Sequence, residues 1–319
     1  MYMKKQNNIE ENNMNLRPKL TLLFLFIITF GFAQDVEVKK LKINNKLDHF
    51  AARVVNDKVF FSSNLTRKNG RIILDKYSQT LYGIYEGVLG EDGEIEDAEL
   101  VRRKEVGMHN MTASTYSKDG KFMYFTSNQT EAGENKLQNK NTFNLLIQRA
   151  EYVEGKGWTN FTTLPFCDPN FNYLHPALSP DGNTLYFVST VKGTKGKSDL
   201  YKVSVTDHET YGEVTRLSDD VNSSRKEIFP FVSADNKLYF SSDRRGGIGG
   251  LDIYCYDLNS SNLMKPVLHL EEPINSKGDD FSFFLNDDLT TGYISSRRLK
   301  GDGGDDLYYF KDFKVEDGE

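Results

Sequence analysis

Leu238-Tyr239-Phe240-Ser241-Ser242 is an aromatic strand signature that this chain carries five times over. The other copies are Val59-Phe60-Phe61-Ser62-Ser63, Met123-Tyr124-Phe125-Thr126-Ser127, Leu185-Tyr186-Phe187-Val188-Ser189 and Gly292-Tyr293-Ile294-Ser295-Ser296. Their central aromatics, Phe60, Tyr124, Tyr186, Tyr239 and Tyr293, are 64, 62, 53 and 54 residues apart. Self-similarity on this scale marks an array of supersecondary units, each of which buries its apolar faces only against its neighbours. In such an array, function belongs to loops and faces.

Working outward from the signature, each repeat reads as four strands. The inner strand precedes it, as in Pro176-Ala177-Leu178-Ser179 and Pro230-Phe231-Val232-Ser233. The two are joined by Pro180-Asp181-Gly182-Asn183 or Ala234-Asp235-Asn236, turn chemistry in which Pro presets φ while Gly and Asn accept positive φ. A third strand follows, as in Asp199-Leu200-Tyr201-Lys202-Val203, Asp252-Ile253-Tyr254-Cys255-Tyr256 and Asp306-Leu307-Tyr308-Tyr309-Phe310. Its alternation predicts a half-buried strand.

The fourth strand decides the topology. It is predicted at Glu213–Leu217, leading to Val221-Asn222-Ser223, and at Pro266–Leu270, leading to Ile274-Asn275-Ser276. The fifth repeat has no such segment after Phe310, but Val36–Leu41, leading to Ile43-Asn44-Asn45, carries the same pattern ahead of the first repeat. The expected fold is therefore all-β: a five-bladed β-propeller of four-stranded antiparallel blades, its last blade closed by the N-terminal strand. Closure of this kind removes the free edges that invite aggregation.

Ahead of that strand, Arg17 and Lys19 precede an apolar run from Leu20 to Phe32 that ends in Gly31-Phe32-Ala33. A basic flank, a short apolar segment and a small-x-small cleavage site describe an export signal. The run falls short of the roughly 20 residues that span a bilayer. Residues 1–34 are read as a signal peptide and 35–319 as a single propeller domain, with no transmembrane span once the signal is removed. The expected location is exported, periplasmic or associated with the outer membrane or cell surface. Cys167 and Cys255 lie in different repeats and are read as free and buried. A formal charge of −6 on an exported chain argues against nucleic acid as a partner.

Leu174-His175-Pro176-Ala177-Leu178-Ser179-Pro180-Asp181-Gly182-Asn183-Thr184-Leu185-Tyr186-Phe187 resembles a TolB-like, WD-repeat-like propeller repeat with its Pro-Asp dipeptide. The stretch from Phe240 through Asp243-Arg244-Arg245-Gly246-Gly247 to Tyr254 is similar to repeats of OmpA-associated envelope proteins of Bacteroidota. Repeats three and four are near the pattern, five is recognisable, and one and two have drifted. The resemblance implies an envelope propeller acting as a binding platform. In some relatives it is attached to a peptidoglycan-binding OmpA-like domain, which has no counterpart among these residues, and is linked to secretion or gliding.

No catalytic set is legible. His49, His109, His175, His208 and His269 show no metal-ligand spacing, so neither a metal nor another cofactor is expected. Gly193-Thr194-Lys195-Gly196-Lys197-Ser198 ends like a phosphate loop but has Val191 where the first glycine belongs, and it joins two strands. Ser179-Pro180-Asp181-Gly182 approaches the sialidase Asp-box with its glycine one place early. The loops Gly246–Asp252 and Gly301–Asp306 resemble calcium-binding nonapeptides, yet neither is repeated in tandem. Asp199, Asp252 and Asp306 share one place before the third strand and are read as hairpin carboxylates that accept loop N–H groups.

One functional signal remains. The loops between second and third strands hold 14 cations against nine acids, in a chain that is acidic as a whole. The candidate partner-binding residues are Arg244, Arg245, Arg297, Arg298, Lys195 and Lys197. They point to an acidic envelope protein or a peptidoglycan or glycan ligand, since a face of one sign steers and orients its partner. The structural alternative is that Arg244 and Arg298 pair with Asp252 or a neighbouring blade. The loop with Glu91, Asp92, Glu94, Glu96 and Asp97 makes the opposite face acidic. The expected function is a non-enzymatic scaffold for an envelope partner, tied to secretion or outer-membrane assembly. The alternative is a carbohydrate-active propeller, which needs carboxylates converging on the channel.

Overall fold

A computed structural model describes residues 36–75, 78–101, 110–130, 133–134, 144–259 and 266–315. Residues 1–34, read above as an export signal, lie outside them, as do Lys76, Lys136, Lys140 and Glu131 of the loops counted above. The described residues from 36 to 315 form one compact unit built of five antiparallel blades, each four strands deep, the outermost strand of blade 3 being split in two. The signature forms the second strand of every blade: Lys58–Asn64, Phe122–Ser127, Thr184–Ser189, Lys237–Ser242 and Gly292–Ser296. All five are buried on both faces, because successive residues point to opposite sides of a sheet and each blade is covered by two neighbours. Tyr239 thus packs with Phe283 and Ile294 of blade 5, while Phe240 packs with Tyr186 and Val188 of blade 3.

The last blade is closed by the first strand. Glu37–Lys40 runs antiparallel to Asp306–Lys311, placing Val38 opposite Phe310. A carboxylate locks it from the next blade: Glu94 accepts from Lys39 Nζ at 2.8 Å and from the Lys42 backbone N–H at 3.0 Å. Glu94 is therefore a seam residue rather than part of an open acidic face. Gly93 beside it has φ +71° and accepts the Tyr293 hydroxyl at 2.9 Å, and a Cβ there would lie 2.1 Å from the Tyr309 ring.

The tails after the fourth strands have a shared purpose. Asn222 and Asn275, both fully buried, bracket the backbone of Leu200 and Ile253, each accepting the N–H at 2.7 Å and donating to the carbonyl at 3.0 Å. Asn44 does the same to Leu307, at 2.9 and 2.7 Å, across 263 residues of chain. The outer strands are shorter than expected in blades 3 and 4: Leu268–His269 in blade 4, and in blade 3 two pieces, Thr210–Tyr211 and Thr215–Arg216. Both cysteines are free; Cys255 is buried as expected, whereas Cys167 is only partly covered.

Gly93→Ala combines a left-handed backbone position with a ring clash, so it should cost about 2–4 kcal/mol in chemical denaturation. A loss below about 1 kcal/mol would show that the seam between blades 1 and 5 yields easily.

Candidate functional site

Every inner strand carries one bulge, and at each bulge one residue adopts left-handed φ: Ala51 (57°), Ala113 (48°), His175 (48°), Phe229 (50°) and Ser282 (53°). A bulge leaves one residue unpaired in the ladder, and at three of the five bulges the fourth signature residue of the preceding blade supplies an acceptor, whereas Ser241 Oγ of blade 4 makes no hydrogen bond. Ser62 Oγ accepts from the Ala113 N–H at 3.0 Å, Thr126 Oγ1 from His175 at 2.9 Å, and Ser295 Oγ from Ala51 at 3.0 Å. Blade 3 has Val188 at that place and cannot do so. There His175 Nδ1 accepts the Phe229 N–H at 3.3 Å, and its ring stacks on Phe229 with centroids 3.6 Å apart. This bond fixes the neutral tautomer with hydrogen on Nε2. Burial, reinforced by the Arg53 cation, drives the His175 pKa down to about 3.

A second ring of side chains joins the blades nearer the loops. In four blades the residue before the inner strand accepts an N–H at the start of the third strand of the previous blade. Asn110 accepts from Tyr82 at 2.9 Å, Asn172 from Leu145 at 3.0 Å, Asp279 from Leu251 at 3.1 Å and Asp48 from Asp305 at 3.2 Å. Lys226 occupies the fifth place, where the Glu227 N–H donates to the Ser198 carbonyl instead.

These two rings frame a cavity of about 570 Å³ that opens toward the loops between second and third strands. Its floor is aromatic, with Phe50, Phe229 and Phe281 at mutual centroid distances of 5.2 to 6.4 Å and His175 alongside. Below, Arg53 is buried with its guanidinium 5.5 Å from the Phe231 and Phe284 ring centres, and burial lowers its pKa to about 10. The wall holds Asp75, Asp279, Asp305 and Arg297. Arg297 bonds Asp305 at 2.5 Å and lies 3.6 Å from Asp279.

The residues singled out in the sequence fall into three groups. Arg244 and Arg298 are interior braces. Arg298 donates to Asp280 at 2.7 Å, to the Pro273 and Ile274 carbonyls at 3.0 and 2.8 Å, and lies over Tyr308. Arg244 reaches Glu227 at 3.2 Å and the Val221 carbonyl, and lies over Phe240 and Tyr254. Their partners are Glu227 and Asp280 at the head of their own blade's inner strand, not Asp252. Lys195, Lys197 and Arg245 are exposed on the loops; Lys195 pairs with Asp219 at 3.2 Å, and the other two have no ion pair among the described residues. Asp199, Asp252 and Asp306 each accept two loop N–H groups: Lys195 and Gly196, Ile248 and Gly249, and Asp302 and Gly303. Among the described residues no cluster of His, Cys, Asp and Glu could hold a metal ion, and no helix is long and apolar enough to cross a membrane.

No protein-family profile matches this sequence, and no curated protein matches it. Solved structures do share the fold. A TolB candidate from Agrobacterium tumefaciens aligns with TM-score 0.50 at 12% identity, over 88% of this chain and 98% of that one. A thermostable family-43 glycoside hydrolase aligns with TM-score 0.50 at 13% identity, over 88% and 94%. Two propellers of such different kinds share the architecture alone, so chemistry must be argued from the site.

Two predictions follow from the buried groups. His49, with both ring nitrogens buried and unbonded, has its pKa lowered to about 4 by burial. A depressed folded-state pKa means that the neutral form stabilises the fold above pH 6.5, the usual histidine value, and that this is lost as pH falls toward 4. The slope is at most about 1.4 kcal/mol per pH unit for each such group. His49→Leu should flatten the fall in stability between pH 6.5 and 4; an unchanged slope would mean that His49 is protonated in the fold. Arg298→Ala strands the buried Asp280 and should cost about 3–5 kcal/mol, whereas Arg245→Ala should cost under about 0.5 kcal/mol. Comparable losses by urea denaturation would contradict this division.

Proposed function

We propose that this protein is an exported, non-enzymatic propeller of the bacterial envelope that binds a protein partner on the face carrying the loops between second and third strands. The observation that carries the reading is the state of the carboxylates at the channel mouth. Asp279 holds the Leu251 N–H and lies beside Arg297, Asp305 holds Arg297, and Asp75 accepts the Gln79 N–H at 2.8 Å. Carboxylates committed to structural donors suit recognition. Glycoside hydrolysis requires an opposed pair, one side protonating the leaving oxygen and the other attacking or activating water. An open cavity with an aromatic floor and a polar wall has the anatomy of a recognition site.

On this face Lys195, Lys197 and Arg245 form the accessible basic rim, and Arg297 stands inside the mouth. Arg244 and Arg298 contribute by holding the blades that present the loops. Placement in the periplasm or at the outer membrane rests on the export signal at residues 1–34.

Photo-crosslinking in the native envelope tests this. A crosslinker at position 197 or 245 is expected to trap one discrete protein, and one at Asp92 on the opposite face is not. Equal trapping from all three positions, or trapping from none together with glycan cleavage by the purified protein, would overturn the reading.

A further inference from the structure

The ring of clasps before the inner strands contains an internal comparison. Asn110 and Asn172 hold the neighbouring blade's N–H at 2.9 and 3.0 Å; Asp279 and Asp48 hold theirs at 3.1 and 3.2 Å. A neutral amide oxygen therefore performs this structural task as well as a carboxylate does. The negative charge at position 279 exceeds what its clasp needs. It is not isolated: Asp48 and Asp279 both flank Asp305, which is 7% exposed, and all three lie on the side of the mouth where blade 5 meets blades 4 and 1.

One guanidinium, Arg297, serves these three carboxylates, bonded to Asp305 and near Asp279. Asp48 instead takes hydrogen bonds from neutral donors, the Tyr82 hydroxyl at 2.9 Å and the Asn64 amide at 3.1 Å. Burial raises the Asp305 pKa against the pull of Arg297, and the Asp48 and Asp279 carboxylates raise it further. The wall is thus short of positive charge where it meets the rings of Phe50, Phe229 and Phe281. An aromatic face and a carboxylate attract the same kind of group, and a cation with a flat or alkyl stem satisfies both.

We propose that the mouth takes a guanidinium or ammonium side chain, an arginine or lysine projecting from the protein partner, against Asp279 and Asp305 with Asp48 behind them and the phenylalanine floor beneath its stem. This rests on the protein-binding reading above and names what the partner inserts.

The probe is a pair of blocked peptides, acetyl-Gly-Gly-Arg-Tyr-Gly-amide and the same peptide with citrulline, which has the arginine shape without its charge. Titration of residues 35–319, followed by NMR, is expected to show the arginine peptide binding at least tenfold tighter than the citrulline peptide, with a preference that shrinks as salt is added. Asp279→Asn, which keeps the clasp in the form blades 2 and 3 already use, should cut the preference for the arginine peptide at least threefold while the melting temperature is retained; Asp48 is left in place because its second oxygen accepts from Tyr82 and Asn64. Equal binding of both peptides to the wild type, binding of neither, or an arginine preference that survives the substitution would each overturn the proposal. Continued trapping of a protein from positions 197 and 245 alongside any of those results would leave protein binding standing and remove only the cation.

Discussion

The structure depends on side-chain oxygens that satisfy backbone N–H groups where one blade meets the next. Five sheets arranged around an axis present inner strands whose bulges and ends leave donors without ladder partners, and a buried N–H without an acceptor costs about 1–3 kcal/mol. Serine, threonine, asparagine and aspartate at repeated positions meet that need from the neighbouring blade. Apolar packing between blades supplies the bulk of the burial, but it is nondirectional. The hydrogen bonds fix how each blade is rotated against the next.

The exceptions show the same constraint operating. Where Val188 replaces the hydroxyl, His175 turns its Nδ1 to the orphaned donor, and a histidine that sequence reasoning could take for a ligand becomes a neutral structural acceptor. Where Arg297 follows the signature in blade 5, it cannot accept as Asn64 does from the Asp48 N–H at 2.6 Å, and it bonds the surrounding carboxylates instead. The mouth owes much of its chemistry to these departures. A repeat array diversifies where one unit gives up a structural residue and a neighbour compensates.

This division explains what the sequence disclosed. The five aromatic signatures and the displaced outer strand at Val36–Leu41 were sufficient for the fold, its blade number and its closure, because period and alternation register burial directly. The recurring Asn44, Asn222 and Asn275 were visible as a pattern, but their roles were not, since a turn asparagine and a buried clasp look alike in one dimension. Arg244 and Arg298 read as a basic face because their partners, Glu227 and Asp280, sit 17 and 18 residues upstream on a different strand. The cavity was not legible in one dimension: Phe50, Phe229 and Phe281 lie in three different repeats, and Asp48, Asp279 and Asp305 share no motif.

The central claim is that seam hydrogen bonds make the five blades one cooperative unit, and the most direct measurement is hydrogen exchange on Asn110→Ala, which removes the acceptor that blade 2 offers to the Tyr82 N–H of blade 1. The account predicts that amides of the second strands in all five blades lose protection together and by similar factors, since opening one seam of a closed ring exposes the others. Loss confined to the amides around Tyr82, with blades 3 and 4 as protected as before, would contradict it and show that the blades are held by packing alone.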